Sequence, residues 1–284
     1  MQKNKFSLIM ATYGRKEEIG KFLESILNRQ NKNISLEVII VDQNKKIDLK
    51  PIIDKYNDKI DIKHIKSDVI GLSKNRNIGI KESTGQIIAF PDDDCEYLPQ
   101  TLDEVYNVFS RNSCDLVMGR IIERDGSDSL RYWSKEECLI SKNNFYTKCS
   151  SVTLFLKRDK SEIMLNEKLG VGEYFGSCED ADLIYRNSKK GMKINYVPNV
   201  QIYHPHYDSN NNMSLEKIKS YGLGFGAMVK ANLDFSMIIL FMKAQGYHST
   251  KMLFNLLRLD IKKANNSYVA LISRFKGFFE YKGE

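Results

Sequence analysis

From Gln86 to Asp94 the chain passes through a short apolar segment, Ile87, Ile88, Ala89 and Phe90, and ends in three consecutive carboxylates, Asp92, Asp93 and Asp94. An apolar run of this length reads as a strand buried on both faces, which belongs in the interior of a sheet covered by helices. Open sheets of that class bind ligands beyond the carboxyl ends of their strands. Clustered acids there imply a ligand that is cationic or that reaches them through a cation. Mn²⁺ or Mg²⁺ is typically held by one or two carboxylates with substrate phosphates completing its shell, so the acidic strand end predicts a phosphate-bearing substrate. Turns also favour Asp for local reasons, which leaves a solvated acidic turn before Pro99 as the alternative reading of the triplet alone.

The rest of the chain supplies the sheet. Ser7 to Thr12 and Glu37 to Val41 read as strands, the second ending at Asp42. Between them Ile19, Phe22, Leu23 and Ile26 recur at helical spacing over Lys16 to Asn28. Leu49, Ile52, Ile53 and Tyr56 form a second helical pattern, Ile60, Ile62 and Ile65 a short strand, and Gly71 opens a third helix. Pro99 starts a fourth that runs to Phe109. This alternation predicts a parallel sheet with helices on both faces. Beyond Asp115 the pattern loosens: strands at Leu116 to Ile122 and Val152 to Leu156 flank a polar segment holding Trp133, the sole tryptophan. A glycine-rich stretch from Gly170 to Gly176 leads into Glu179, Asp180 and Asp182 at the start of an acid-capped helix. Strands at Lys193 to Val197 and Gln201 to Tyr203 then end at His204, Pro205 and His206, and a polar loop from Asp208 marks a boundary.

At 284 residues the chain has room for one large α/β domain with an appendage. Its formal charge of +7 is uneven: from Leu215 onward eleven Lys and Arg face five Asp and Glu, which accounts for +6. No nucleic-acid motif accompanies that excess, so nucleic acid is not an expected partner. The N-terminus lacks a secretory pattern, and the five cysteines have no zinc-like spacing. Free thiols in a cytoplasmic protein are expected.

Taken in order, Leu8 to Arg15 with Thr12 and Tyr13, Asp42, the segment from Gly71 to Gly79 with Lys74, Arg76 and Asn77, the Asp triplet, and the Glu179–Asp180 pair resemble the family 2 glycosyltransferases of the GT-A fold. The resemblance covers roughly residues 6 to 210. It implies a GT-A α/β sandwich over 1–210, with a nucleotide-binding half (1–114) and an acceptor half (115–210), followed by a basic helical extension over 211–284. By the same resemblance Thr12, Tyr13 and Arg15 hold the nucleoside, Asp42 accepts the imide N–H of a pyrimidine, and Lys74 and Arg76 lie beside the diphosphate. Asp92 and Asp93 reach the sugar or ribose, Asp94 with Asp92 binds the metal, and His204 is a candidate third ligand. Asp180 is the expected base, with Glu179 as the alternative, and the region of Trp133 is assigned to the acceptor. Gln43 and Asn44 depart from the family's usual second aspartate and Gly-Ser after Asp42.

The activity so implied is inverting, metal-dependent transfer of a sugar from a nucleoside diphosphate, a UDP-sugar first among the candidates, to a glycan or lipid-linked acceptor in bacterial surface polysaccharide synthesis. A nucleotidyltransferase that makes nucleotide sugars is one alternative, though Ala11 to Arg15 is too short for its phosphate loop. A catalytically inactive sugar- or lipid-binding module is another. The basic tail, with Met252, Leu253, Leu256 and Leu257, then Tyr268, Ile272, Phe275 and Phe279 at helical spacing, either packs on the core or lies in a membrane interface. That second reading places the protein at the inner face of the plasma membrane.

Overall fold

The structure, a computed structural model, describes residues 5–111, 114–205 and 213–283. Contacts divide the chain into two compact units. The first comprises residues 1–70, 74–164 and 186–207, and the second 71–73, 165–185 and 208–284. The expected division near 210 falls among residues outside the description. The grouping also adds a feature the sequence does not announce, because residues 165–185 pack with the C-terminal helices.

Among the described residues nine strands occur, all in the first unit: β1 (Phe6–Thr12), β2 (Leu36–Asp42), β3 (Asp61–Lys66), β4 (Ile87–Ala89), β5 (Glu96–Tyr97), β6 (Leu116–Ile122), β7 (Cys138–Ile140), β8 (Leu154–Lys157) and β9 (Ile194–Tyr203). They form one sheet in the order β3-β2-β1-β4-β8-β6-β9-β5, with β7 paired to β9. The helices are α1 (Glu17–Leu27), α2 (Lys50–Tyr56), α3 (Leu72–Glu82), α4 (Thr101–Arg111), α5 (Glu179–Lys189), α6 (Leu215–Ala231), α7 (Phe235–Leu257) and α8 (Ile261–Glu280). Every residue of β1 and β2 is buried, the signature of strands covered on both faces. Gly79 on α3 lets that helix lie against β1 and β2: a Cβ there would stand 2.4 Å from Ile9 Cγ2.

The predicted parallel sheet holds for β3, β2, β1 and β4, and again for the pair β6 and β9. β8 runs antiparallel to both β4 and β6, because the chain enters it from two short 3₁₀ turns (Phe145–Thr147 and Ser151–Thr153) without a crossover helix that would reverse it. β9 is a single strand where two were expected. Pro198 interrupts the pattern but not the pairing, since the register with β6 shifts between Met118 and Arg120, and Arg120 Nε donates to Pro198 O at 3.1 Å.

Glu37, buried on β2, ties the start of the sheet together. It accepts from Ser7 Oγ at 2.5 Å, Thr84 N at 2.6 Å and Lys5 Nζ at 2.9 Å. Burial alone would raise its pKa, but these donors outweigh burial and bring it down to about 2. A depressed folded pKa stabilises above the unfolded value of 4.5 and is lost as pH falls towards 2. The expected loss is on the order of 3 kcal/mol over that window. Urea unfolding at pH 7 and pH 3 measures it, and Glu37→Gln should abolish most of the difference while lowering the midpoint at pH 7.

In the second unit α6, α7 and α8 are capped by Ser214, Asp234 and Asp260, whose side chains accept from Lys217 N, Met237 N and Lys263 N. α8 meets α6 through Ala264, Ser267, Ala270, Ser273 and Gly277, all buried. The approach is close enough that a Cβ on Gly277 would fall 2.1 Å from Leu223 O, and one on Gly226 2.1 Å from Arg274 O. Ile261, Tyr268, Ile272, Phe275 and Phe279 remain exposed on α8. The small residues that let α8 approach α6 this closely read as gaps in an apolar pattern. The five cysteines are free thiols.

Candidate active site

The acidic triplet lies beyond the carboxyl end of β4, as its sequence position requires. β5 pairs with β9 so that Glu96 faces Tyr203 and Tyr97 faces Ile202. Carried one residue further, that register sets Cys95 opposite His204 and brings the imidazole beside Asp94. His204 Nε2 is 3.1 Å from Asp94 Oδ1 and 3.7 Å from Asp92 Oδ2. Its Nδ1 lies 3.0 Å from Pro205 O, and because a carbonyl only accepts, Nδ1 carries a proton. Burial by itself would lower the His204 pKa, but the hydrogen bond to Asp94 and the charges of both aspartates outweigh it and hold the value above the usual one.

The second oxygen of each aspartate meets an arginine. Arg15 Nη2 donates to Asp94 Oδ2 at 2.9 Å, and Arg76 Nη2 to Asp92 Oδ1 at 2.6 Å. Arg76 is buried, with its guanidinium 5.6 Å from the centre of the Phe90 ring, so it is a fixed counter-charge and not a surface cation. Lys74, two residues earlier on α3, is half-buried. Asp93 accepts from Thr12 Oγ1 at 2.7 Å. Burial, opposed by that hydroxyl and reinforced by the charges of Asp94 and Asp92, raises the Asp93 carboxyl to about 6.

Asp92, Asp94 and His204 present ligand atoms that all lie within 4.8 Å of one another. Two carboxylate oxygens and an imidazole nitrogen form a donor set that Mn²⁺ accepts, and Mg²⁺ can use its carboxylates. The arginines behind the aspartates and the carbonyl behind His204 orient these donors, as outer partners do in metal sites. His206 lies outside the described residues.

At the end of β2, Asp42 is fully buried. Its Oδ1 accepts from Asn44 N and Nδ2, each at 2.8 Å, while Oδ2 meets His64 Nε2 at 2.9 Å and Lys66 Nζ at 2.7 Å. Burial alone would raise this carboxyl too, but Lys66, Asn44 and His64 together bring it below its ordinary value. A carboxylate with both oxygens so occupied has no ready acceptor for a base N–H. The groups that reach solvent here are Lys66 and His64, which the sequence reading passed over. They lie two residues apart on one face of β3, and Lys66 is in register with Asp42. Asn44, at the departure from the family pattern, accepts from Gly14 N at 2.7 Å and so joins the loops after β1 and β2.

Two residues expected at the ligand, Thr12 and Trp133, are buried with protein partners for their polar atoms. Thr12 is 1% exposed and donates its hydroxyl to Asp93, so it supports the acidic loop; the exposed neighbour is Tyr13, at 73%. Trp133 is likewise 1% exposed and donates its indole N–H to Ser129 O at 2.9 Å, whereas Tyr132 beside it is 81% exposed. An apolar ring with one satisfied donor is a core residue, and nothing in the local pattern distinguishes that from a ligand platform.

Glu179 and Asp180 begin α5 in the second unit. From Glu179 to Tyr185 every residue is buried except Asp180. Glu179 packs under Gly170, where an added Cβ would fall 3.3 Å from its Oε2. Asp180 accepts from Ala181 N through Oδ1 at 2.7 Å. Asp182 is buried and accepts from Asn232 Nδ2 at 2.6 Å; burial, opposed by that bond, raises its carboxyl to about 6.

The sequence model for glycosyl transferase family 2 matches residues 7–178, more than half of the chain. The chain belongs to glycosyltransferase family 2. The match contains the acidic triplet and ends one residue before Glu179. As a family 2 enzyme the protein is a glycosyltransferase, and similar solved structures agree on the GT-A fold. Residues 1–349 of TarS from S. aureus superpose with a TM-score of 0.61 at 18% identity, covering 96% of this chain and 92% of that one. The chain spans 55% of the longer TarS structure. The mannosyltransferase PcManGT from Pyrobaculum calidifontis, in complex with GDP-Man and Mn²⁺, gives a TM-score of 0.64 at 12% identity, covering 99% and 88%. TarS 1–349 in complex with UDP-GlcNAc gives 0.59 at 16% identity, covering 96% and 92%. No curated protein sequence matches the chain.

Proposed function

We propose that this family 2 glycosyltransferase moves a sugar from a nucleoside diphosphate to a hydroxyl of a glycan or lipid-linked acceptor in bacterial surface polysaccharide synthesis, with inversion and with a divalent metal at Asp92, Asp94 and His204. The observation that carries the proposal is the cluster itself: two carboxylates beyond β4 and an imidazole beyond β9 brought together, with Arg15 and Arg76 behind the carboxylates. Ligands of the similar structures, UDP-GlcNAc in TarS and GDP-Man with Mn²⁺ in PcManGT, support a nucleotide-sugar donor. A UDP-sugar is the first candidate. When bound, the ion supplies the positive charge that a departing nucleoside diphosphate requires. Arg15 and Arg76 add fixed charge beside the aspartates, where it acts without reorganisation. Tyr13 offers an exposed ring for a base to stack on. Asp180 takes the proton of the acceptor hydroxyl as that oxygen attacks the anomeric carbon from the face opposite the leaving group. A donor-hydrolysis screen of UDP-, dTDP- and GDP-sugars with Mn²⁺ or Mg²⁺ tests this reading. Release of one nucleoside diphosphate, lost with chelator, is expected; no turnover of any donor, with or without acceptor glycans, contradicts it.

The same reading includes peripheral membrane contact through the C-terminal helices. Among the described residues no helix is long and apolar enough to cross a membrane. Yet Phe235, Met242, Leu253, Leu257, Ile261 and Phe279 are exposed on or beside α7 and α8. From Phe235 to Phe279 there are seven Lys and Arg and a single acid, Asp260. A face both apolar and cationic suits anionic lipid. The protein should co-sediment with phosphatidylglycerol vesicles at low salt, and the double substitution Met242→Glu with Leu257→Glu should leave it in solution. Failure of the unaltered protein to bind removes the membrane from the account.

A further inference from the structure

The segment that carries Glu179 and Asp180 is clasped along its length by α6 and the corner that joins α6 to α7. Ahead of the pair, Ser177 donates its hydroxyl to Tyr221 O at 3.0 Å. Gly224 allows α6 to lie on the backbone of Ser177, where a Cβ would stand 2.6 Å from both its N and its O. Cys178, with φ of 69°, then turns the chain through the left-handed region that a side chain rarely adopts, and its carbonyl accepts from Asp182 N at 2.9 Å. After the pair, buried Asp182 accepts from Asn232 Nδ2 at 2.6 Å, and buried Tyr185 donates its hydroxyl to Asp234 Oδ1, also at 2.6 Å. Asp234 is the N-cap of α7, accepting from Met237 N at 3.1 Å through the same oxygen. Asn232 is itself buried and anchored on Met228 O. One three-residue corner, Asn232 to Asp234, thus meets two successive turns of α5, on positions of the helix other than the part-exposed Asp180.

From this we propose that Asn232 and Asp234 are positioning residues for glycosyl transfer: through Asp182 and Tyr185 they fix the first turns of α5 and thereby the direction of the Asp180 carboxylate. The inference rests on Asp180 as the base, and it gives the corner between α6 and α7 a part in catalysis besides the membrane contact proposed for the C-terminal helices. A base must sit within hydrogen-bond reach of its proton, and a displacement of about 1 Å can cost ~10²-fold in rate. Donor binding, which falls to residues of the other unit, should not respond.

The test compares Tyr185→Phe, Asn232→Leu and Asp182→Asn in the full chain, with thermal melting as a check on folding. Nucleoside diphosphate affinity is read by calorimetry and transfer by steady-state kinetics. Tyr185→Phe removes one hydroxyl and keeps the buried ring, so it should fold and lose ~10-fold in kcat with the nucleotide Kd unchanged. Asn232→Leu should lose more than Tyr185→Phe. Asp182→Asn, whose amide oxygen can still accept from Asn232, should stay within about threefold of the unaltered protein. If Tyr185→Phe folds and transfers at the normal rate, or if kcat and nucleotide affinity fall together, the positioning role is wrong. Asp180→Asn separates the two ideas: an active Asp180→Asn removes the base assignment, whereas an inactive one beside a fully active Tyr185→Phe removes only the positioning role.

Discussion

Asp180→Asn is expected to bind nucleoside diphosphate as tightly as the unaltered protein and to lose transfer by ~10² to 10⁴-fold, the range for removal of a general base. The amide keeps the shape of the carboxylate and can still accept from Ala181 N, so the start of α5 should persist. What it cannot do is take a proton from an acceptor hydroxyl. Burial distinguishes Asp180 from its neighbour: Glu179 is 7% exposed under the Gly170 loop, and only Asp180 in the first two turns is open to a second substrate. Steady-state transfer with calorimetry on the same preparations measures the effect. If Glu179→Gln is inactive while Asp180→Asn is not, the base is the other carboxylate.

Asp94→Ala is expected to abolish metal-dependent nucleotide binding. Asp94 contacts both His204 and Arg15, so its removal takes away a ligand atom and also a carboxylate partner of the cation behind it. A diphosphate then faces Asp92 and Asp93 without the ion that would sit between them. Calorimetry of UDP and GDP with and without Mn²⁺ decides the matter: the unaltered protein should bind one of them with a metal requirement, and Asp94→Ala should show none. Unchanged, metal-dependent affinity in the variant would place the ion elsewhere.

The parts of this architecture that were legible from sequence are those fixed by local periodicity. The helix expected over Lys16 to Asn28 runs from Glu17 to Leu27 with the same four apolar residues buried, because a 3.6-residue repeat states its own face. The acidic strand end and His204 were legible because both close apolar runs. Partners distant in sequence were not. Asp42 was read as an acceptor for a base, yet Asn44, His64 and Lys66 occupy it, a consequence of β2–β3 register that no single segment displays. Asp182 is buried against Asn232, fifty residues later, a partner that the local acid-capped pattern does not display. The partners of Trp133 and Thr12, Ser129 O and Asp93, are likewise not displayed by any local pattern, because residue type alone does not say whether a polar atom meets core or ligand.

The central claim is that this family 2 glycosyltransferase breaks the sugar–phosphate bond of a nucleotide sugar with metal at Asp92, Asp94 and His204 and a single base on the opposite face. Proton NMR of a donor and acceptor mixture, followed in real time with Mg²⁺ and then with chelator, tests it most directly. An α-linked donor should give a β-linked product together with free nucleoside diphosphate, and both signals should stop when the metal is removed. A product that retains the donor's configuration, or turnover that continues in chelator, would contradict the account.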